Sequence, residues 1–348
     1  MKDIAELDPN FKVDKAIERE GMKFYDVLEE PFEINGVKFE DGKFRRMPEQ
    51  VAKSVSPGVH GLSSNTAGGR VRFRTDSPYI AISYKGEMGK MPHFAFTGSC
   101  GFDLYFGTRY VNTFIPGLDD KYGFDRLADY GVRRMEEVTI NFPLYSNVER
   151  LYIGLDENAR VEKPSPYIDK MPIVYYGSSI TQGGCASRPG TSYQSIISRR
   201  FNVDYVNLGF SGNARAEDEM IEYIKSLEMS VFVYDYDHNS PSCEHLASTH
   251  EKLFRALRQV QPNLPVIMMS RPKYYLTPDE KTRREIVKTT YENSLASGDK
   301  NVYFLDGYDL CRLCLDEGTV DGCHPTDFGF ASMAKAVGDV ISEYRLLW

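Results

Sequence analysis

Ile173-Val174-Tyr175-Tyr176-Gly177-Ser178-Ser179-Ile180-Thr181 is an apolar run of strand length, closed by a glycine and a serine pair. Such a run is too short for a helix and reads as a buried strand ending in a strand-to-helix turn. Four more runs of the same kind follow, at Asp204–Leu208, Val231–Asp235, Val266–Ser270 and Val302–Leu305. Between them apolar residues recur at helical spacing: Tyr193, Ile196, Ile197 and Phe201; Met220, Ile221 and Ile224; Leu246, Leu253, Leu257 and Val260; Ile286, Val287 and Tyr291. Thr191-Ser192-Tyr193-Gln194 has the pattern of a capping box at the head of the first of these helices. A last helix is expected from about Phe328 to Tyr344. Five strands joined by helices imply a parallel, doubly wound sheet, and such sheets bind their ligands at the carboxyl ends of the strands.

Upstream of Lys163-Pro164-Ser165-Pro166, a proline-rich joint, the period changes. Val71–Thr75, Tyr79–Lys85, Phe102–Phe106, Arg109–Phe114, Glu137–Pro143 and Arg150–Leu155 read as short strands separated by Gly68-Gly69, Asp76-Ser77-Pro78, Gly98 and Pro116-Gly117. Val71, Phe73 and Thr75 alternate with Arg72 and Arg74, which predicts one face toward a core and one toward solvent. At 348 residues two domains are expected: an all-β sandwich or jelly-roll over residues 1–168 and an α/β domain over 169–348.

The net charge of −8 supplies no basic field, which argues against nucleic acid and anionic membrane as partners and leaves a small or neutral ligand, with self-association open. The N-terminal stretch MKDIAELDPNFKVDK mixes charges with apolar residues and lacks the apolar region of a secretory signal; Met1 reads as a natural start, and a cytoplasmic location is expected. No run of about 18 apolar residues marks a spanning helix. Six scattered cysteines fit reduced thiols, and Cys311-Arg312-Leu313-Cys314, without a second pair, makes a poor zinc site.

The polar residues that matter fall at the strand ends. Ser178 and Ser179 follow the first strand, Gly209-Phe210-Ser211-Gly212-Asn213 the second, and Asp235-Tyr236-Asp237-His238-Asn239 the third; Asp321-Gly322-Cys323-His324-Pro325 precedes the last helix. A serine on such a turn is by itself more often a cap than a nucleophile. A lone glycine or asparagine there is more often a turn residue. In this order, however, a nucleophile, a glycine N–H, an amide and an acid–base pair are the parts that acyl transfer needs.

In these four blocks the chain resembles the SGNH (GDSL-like) hydrolase superfamily. The resemblance implies a flavodoxin-like five-stranded sheet and a serine esterase that needs no cofactor or metal. Ser179 matches the nucleophile, Asp321 and His324 the D-x-x-H pair, and Ser179, Gly212 and Asn239 the oxyanion hole. Gly101-Phe102-Asp103-Leu104-Tyr105 resembles the G-x-D-L-Y signature of a β-domain joined to one SGNH subfamily, and Asp103 and Tyr105 are read as fold residues of that domain. Two positions depart from the pattern: Ser178 stands where an aspartate is usual, and Asp237 where a glycine is usual. Asp237, His238 and Arg271 sit where they could touch substrate, though Asp237 could equally bond to backbone and Arg271 form a structural ion pair. The subfamily implies deacetylation of an acetylated sugar or oligosaccharide. Two other functions are compatible with parts of the sequence. One is a metal-dependent phosphoesterase built on Asp235, Asp237, His238, Asp321 and His324, which would leave Ser179 and Gly212 without a role. The other is a non-catalytic carbohydrate-binding protein.

Overall fold

The computed structural model describes residues 17, 19–169 and 171–347; the stretch read for a targeting signal, residues 1–15, lies outside them. The chain forms two compact units. The first comprises the described residues up to Arg46, Ser64–Pro166 and the short segment Ser187–Gly190. One antiparallel sheet runs in the order Met22–Asp26, Arg150–Asp156, Tyr79–Lys85, Phe124–Asp129. The other runs Val161–Glu162, Arg70–Thr75, Glu136–Asn141, Phe102–Phe106, Arg109–Phe114, with Glu33–Asn35 also paired to Arg70–Thr75. Inward residues of both, among them Val71, Phe73, Ile80, Ile82, Leu104, Val138, Ile140 and Ile153, share one core.

The alternation at Arg70–Thr75 is real, but its second face is not simply solvated. Arg72 is almost fully buried and donates to the Ser165 carbonyl, while Arg74 pairs with Glu137 and Glu162. Strands Met22–Asp26 and Phe124–Asp129 escaped the sequence reading because each offers only one or two buried side chains to set a period.

The region before residue 168 is also not all-β. Glu49–Val55 and Pro57–Ser63 are helices, and Met47–Ser63 belongs to the second unit with Tyr167–Ala186 and the chain from Thr191 onward. Met47, Ala52 and Val59 join that unit's core. Gly58 allows a close approach there, since a Cβ on it would stand 2.0 Å from Asn213 Oδ1.

The second unit is built on five parallel strands, β1 (Ile173–Gly177), β2 (Tyr205–Gly209), β3 (Val231–Asp235), β4 (Val266–Met269) and β5 (Val302–Leu305). Their spatial order is β2-β1-β3-β4-β5. This is the flavodoxin-like arrangement, with its switch point between β1 and β3. Every residue of β1, β3 and β4 is buried, as expected of a parallel sheet covered on both faces. The helices are α1 (Ser179–Gln182), α2 (Tyr193–Phe201), α3 (Asp218–Lys225), α4 (Cys243–Val260), α5 (Pro278–Ala296), α6 (Gly307–Leu310) and α7 (Asp327–Glu343).

The capping box expected at Thr191–Gln194 does not form. Ser192 is the N-cap of α2 and makes no side-chain cap bond; Thr191 Oγ1 donates to Asp327, and Gln194 donates its amide to the Thr181 carbonyl. A complete box occurs instead at α5, between Thr277 and Glu280. Among the described residues no helix is long and apolar enough to cross a membrane.

Candidate active site

β1 delivers Ser179 to the first position of α1. Three features hold the turn. Ser178 Oγ accepts from the Ile180 N–H and so caps α1. Asp235, directly across from Gly177 on β3, accepts a very short bond from Thr181 Oγ1 and a bond from the Ser178 N–H. The Thr181 carbonyl accepts from both Gln194 Nε2, at 2.6 Å, and Asn207 Nδ2, at 2.7 Å. Gly177 is required by this packing, because a Cβ there would lie 1.7 Å from Asp235 Oδ1.

Gln182 Oε1 accepts from the Ser211 N–H, and the Phe210 N–H donates to the Gly177 carbonyl, so the turns after β1 and β2 are tied together. The carboxyl group lost by having serine at position 178 is thus supplied from the neighbouring strand. Burial is the largest influence on Asp235 and raises its pKa to about 8, against the hydrogen bonds and with the nearby Asp237 charge.

Ser179 Oγ lies 2.9 Å from His324 Nε2, and His324 Nδ1 lies 2.7 Å from Asp321 Oδ2. The other carboxylate oxygen, Oδ1, accepts the backbone N–H groups of His324, at 2.8 Å, and Cys323, at 3.0 Å. Partial burial is the largest single influence on Asp321 and acts upward, but these bonds and the imidazole together hold its pKa down at about 2. An ionised carboxylate can only accept, so Nδ1 carries the proton and Nε2 presents its lone pair to the Ser179 hydroxyl. The turn bearing the pair is fixed by the Val320 N–H to the His324 carbonyl, by the Gly322 N–H to Thr319 Oγ1, and by the bridge between Thr319 and Pro325.

Gly212 lies in the turn after β2 with φ +68°, in the left-handed region that favours glycine, and its N–H donates to no acceptor among the described residues. Asn239 closes a short turn after β3, its N–H donating to the Tyr236 carbonyl, and its side-chain oxygen is buried without a partner. Both stand at ends of strands flanking β1.

Asp237 is buried and fully engaged: Oδ1 accepts from the His238 backbone and lies 2.8 Å from His238 Nδ1, and Oδ2 accepts from the Arg271 N–H. Burial acts upward on it most strongly, yet these partners lower its pKa overall. Arg271 is held in an ion pair with Glu280 at 2.7 Å and bonds Cys323, beside the His324 turn. Asp237 and Arg271 thus tie the turn after β3 to the segment after β4. The imidazole of His238 is held by the Asp237 carboxylate, and its Nε2 is buried without a partner.

Asp235, Asp237, His238 and Asp321 enter no cluster of three or more potential metal ligands among the described residues, and neither does the Cys311–Cys314 pair. A groove of about 670 Å³ lined by Arg258, Asp299, Lys300 and Asn301 lies at the opposite, amino-terminal ends of β4 and β5. The roles of Thr181, Gln182, Gln194 and Asn207 in holding this edge were not read from the sequence, and Asp235 was read there only as a possible metal ligand. Asn207, between Val206 and Leu208, carries a signal, a polar side chain inside an otherwise apolar strand. Within the first unit, Asp103 is fully buried and accepts from Asn141 Nδ2, Arg188 and the Gly190 N–H, while Tyr105 bonds Arg188 through its hydroxyl. The G-x-D-L-Y signature thus anchors the segment Ser187–Gly190.

A parallel 2-1-3-4-5 sheet carrying a serine, an imidazole and a carboxylate in hydrogen-bonded series at its carboxyl edge defines a serine-hydrolase type of protein. Residues 170–342 match the GDSL-like lipase/acylhydrolase family, and residues 22–161 match the domain described as the N-terminus of SGNH-hydrolase-type esterases. The chain belongs to this SGNH/GDSL-like superfamily, in the subfamily with the G-x-D-L-Y domain, and is an ester-hydrolysing enzyme.

A putative GDSL-like lipase from Bacteroides ovatus ATCC 8483 is similar at 28% identity and a TM-score of 0.83, over 94% of this chain and 99% of that one. Two further structures share the fold. A family two carbohydrate esterase from Clostridium thermocellum, in complex with cellohexaose, has 13% identity and a TM-score of 0.64, over 91% of this chain and 100% of that one. An acetyl xylan esterase from the rumen bacterium Butyrivibrio proteoclasticus has 12% identity and a TM-score of 0.61, over 94% and 100%. No curated protein matches the chain in sequence.

Proposed function

We propose that the enzyme removes short acyl groups, chiefly acetyl, from a carbohydrate by a Ser-His-Asp mechanism. The observation that carries this reading is the unbroken series Ser179 Oγ, His324 Nε2, His324 Nδ1, Asp321 Oδ2, at 2.9 and 2.7 Å. Ser179 attacks the ester carbonyl as His324 takes its proton. The Ser179 and Gly212 N–H groups and Asn239 Nδ2 receive the oxyanion, each such donor stabilising the transition state by about 3 kcal/mol. His324 returns the proton to the leaving alcohol, and water, activated by the same imidazole, hydrolyses the acyl-enzyme.

The acetyl and carbohydrate parts of the proposal draw on two structural neighbours, a carbohydrate esterase and an acetyl xylan esterase. The test compares acetyl, butyryl and octanoyl esters, together with acetylated xylo- and manno-oligosaccharides. The proposal expects kcat/KM to fall steeply with acyl length and the sugar acetates to be turned over. A clear preference for octanoyl esters would overturn it.

A further inference from the structure

At the carboxyl edge of the parallel sheet, past the ends of β4 and β5, three tyrosines form a surface that the acyl-transfer machinery does not use. Tyr274 and Tyr275 follow Arg271-Pro272-Lys273, and Tyr308 lies in α6. Tyr274 meets Tyr275 at 4.7 Å between ring centroids, edge to face, and Tyr308 at 5.1 Å, tilted by 36°. Tyr275 is 75% exposed and Tyr308 43%. Rings this open to water contribute little to the core, and clustered rings with an apolar face and a polar tip suit a ligand that has both characters.

The platform is also braced. The Asp316 carboxylate accepts the Tyr274 N–H at 2.7 Å and the Tyr275 N–H at 3.2 Å. Asp316's own carbonyl accepts from Thr319 Oγ1, the hydroxyl that receives the Gly322 N–H in the turn bearing Asp321 and His324. One short stretch of chain therefore sets both the rings and the proposed base. β4 and β5 stand two and three strand spacings from β1, roughly 10 and 14 Å from the strand that delivers Ser179.

We propose that Tyr275 and Tyr308, with Tyr274 between them, form a stacking subsite for the distal pyranose rings of an oligosaccharide whose ester lies at Ser179. This deepens the carbohydrate-esterase reading and rests on it. A pyranose presents an apolar C–H face within a rim of hydroxyls. The ring faces of tyrosine match the first, and the phenol hydroxyls match the second. Two torsions per tyrosine, on a pinned backbone, keep the ordering cost of binding low. The net charge of −8 disfavours an anionic ligand at this edge.

The test uses the full chain as Ser179→Ala, with calorimetric titration of unacetylated xylose, xylohexaose, cellohexaose and mannohexaose. At least one hexaose is expected to bind more tightly than the monosaccharide. Adding Tyr275→Ala should weaken that hexaose about tenfold, the worth of one ring face kept from water, and Tyr275→Phe should restore it. Hexaose binding unchanged by Tyr275→Ala overturns the subsite, as does an absence of any length dependence, or a shift of the protein's own dimerisation in place of sugar affinity. The esterase reading is scored separately, by Ser179-dependent hydrolysis of an aryl acetate. If that hydrolysis is present and Tyr275-dependent binding absent, only the subsite is lost.

Discussion

Asp321→Asn is the substitution whose consequence follows most directly from the geometry. The amide keeps Oδ1 for the His324 and Cys323 N–H groups, so the turn holds, but it replaces the acceptor that sits 2.7 Å from His324 Nδ1 with a donor. Two effects follow. The imidazolium formed during attack loses its counter-charge, worth about 4 kcal/mol at 4 Å with an effective dielectric constant near 20. Asp321 and His324 side chains are 36% and 19% exposed, so screening reduces this to roughly 2–3 kcal/mol. The imidazole is also driven toward the tautomer that carries its proton on Nε2, where it can no longer accept from Ser179. The expected loss in kcat/KM is about 10² to 10³, read on an aryl acetate with folding checked by circular dichroism. Asp321→Ala, which also frees the two backbone N–H groups, should lose at least as much. A folded Asp321→Asn enzyme within about fivefold of the parent would show that another group orients His324 and refute the reasoning.

Asn239→Ala removes the side-chain donor expected at the oxyanion and should lower kcat about a hundredfold with little change in KM, measured under saturating substrate; an effect confined to KM would remove Asn239 from the oxyanion hole. Asp235 gives a pH prediction with a definite sign. Its folded pKa, near 8, stands above the unfolded value near 4, so its contribution is fully present below pH 4 and is lost as pH rises toward 8. The parent should therefore lose stability relative to Asp235→Asn across that window, by up to about 1.4 kcal/mol per pH unit. Thermal melts of the pair at pH 5 and pH 8 check it, and a constant difference in melting temperature would contradict the protonated, buried acid.

The parallel sheet was legible because its strands are mainly apolar runs of strand length and its longer helices carry apolar residues at helical spacing. Ser179, Gly212 and Asn239 stood out because they follow those runs within a few residues, whereas Asp321 and His324 lie just before the last helix and stood out only as a D-x-x-H pair. What could not be read depends on partners distant in the chain. Glu49–Val55 and Pro57–Ser63 are too short to show a period, and they lie more than a hundred residues before the core they join. Gln194 has the sequence of a capping residue, yet the Thr181 carbonyl beneath the nucleophile takes its amide. Ser178 looked like the loss of a carboxylate, whereas Asp235, 57 positions later, stands across the strand gap and bonds the same turn. For Arg271 and Asp237 the sequence left substrate contact and bracing open; the structure shows an ion pair to Glu280 and a bond from the Arg271 N–H to Asp237.

The central claim is that Ser179 is the acylated nucleophile. Mass spectrometry of the protein after treatment with an alkyl fluorophosphonate tests it most directly, with aryl acetate hydrolysis followed in parallel. The account predicts a single phosphonyl adduct on the peptide carrying Ser179, formed in step with loss of hydrolysis, and neither adduct nor hydrolysis in Ser179→Ala. Labelling of another residue, or an Ser179→Ala protein that still hydrolyses the ester at the parent rate, would contradict it.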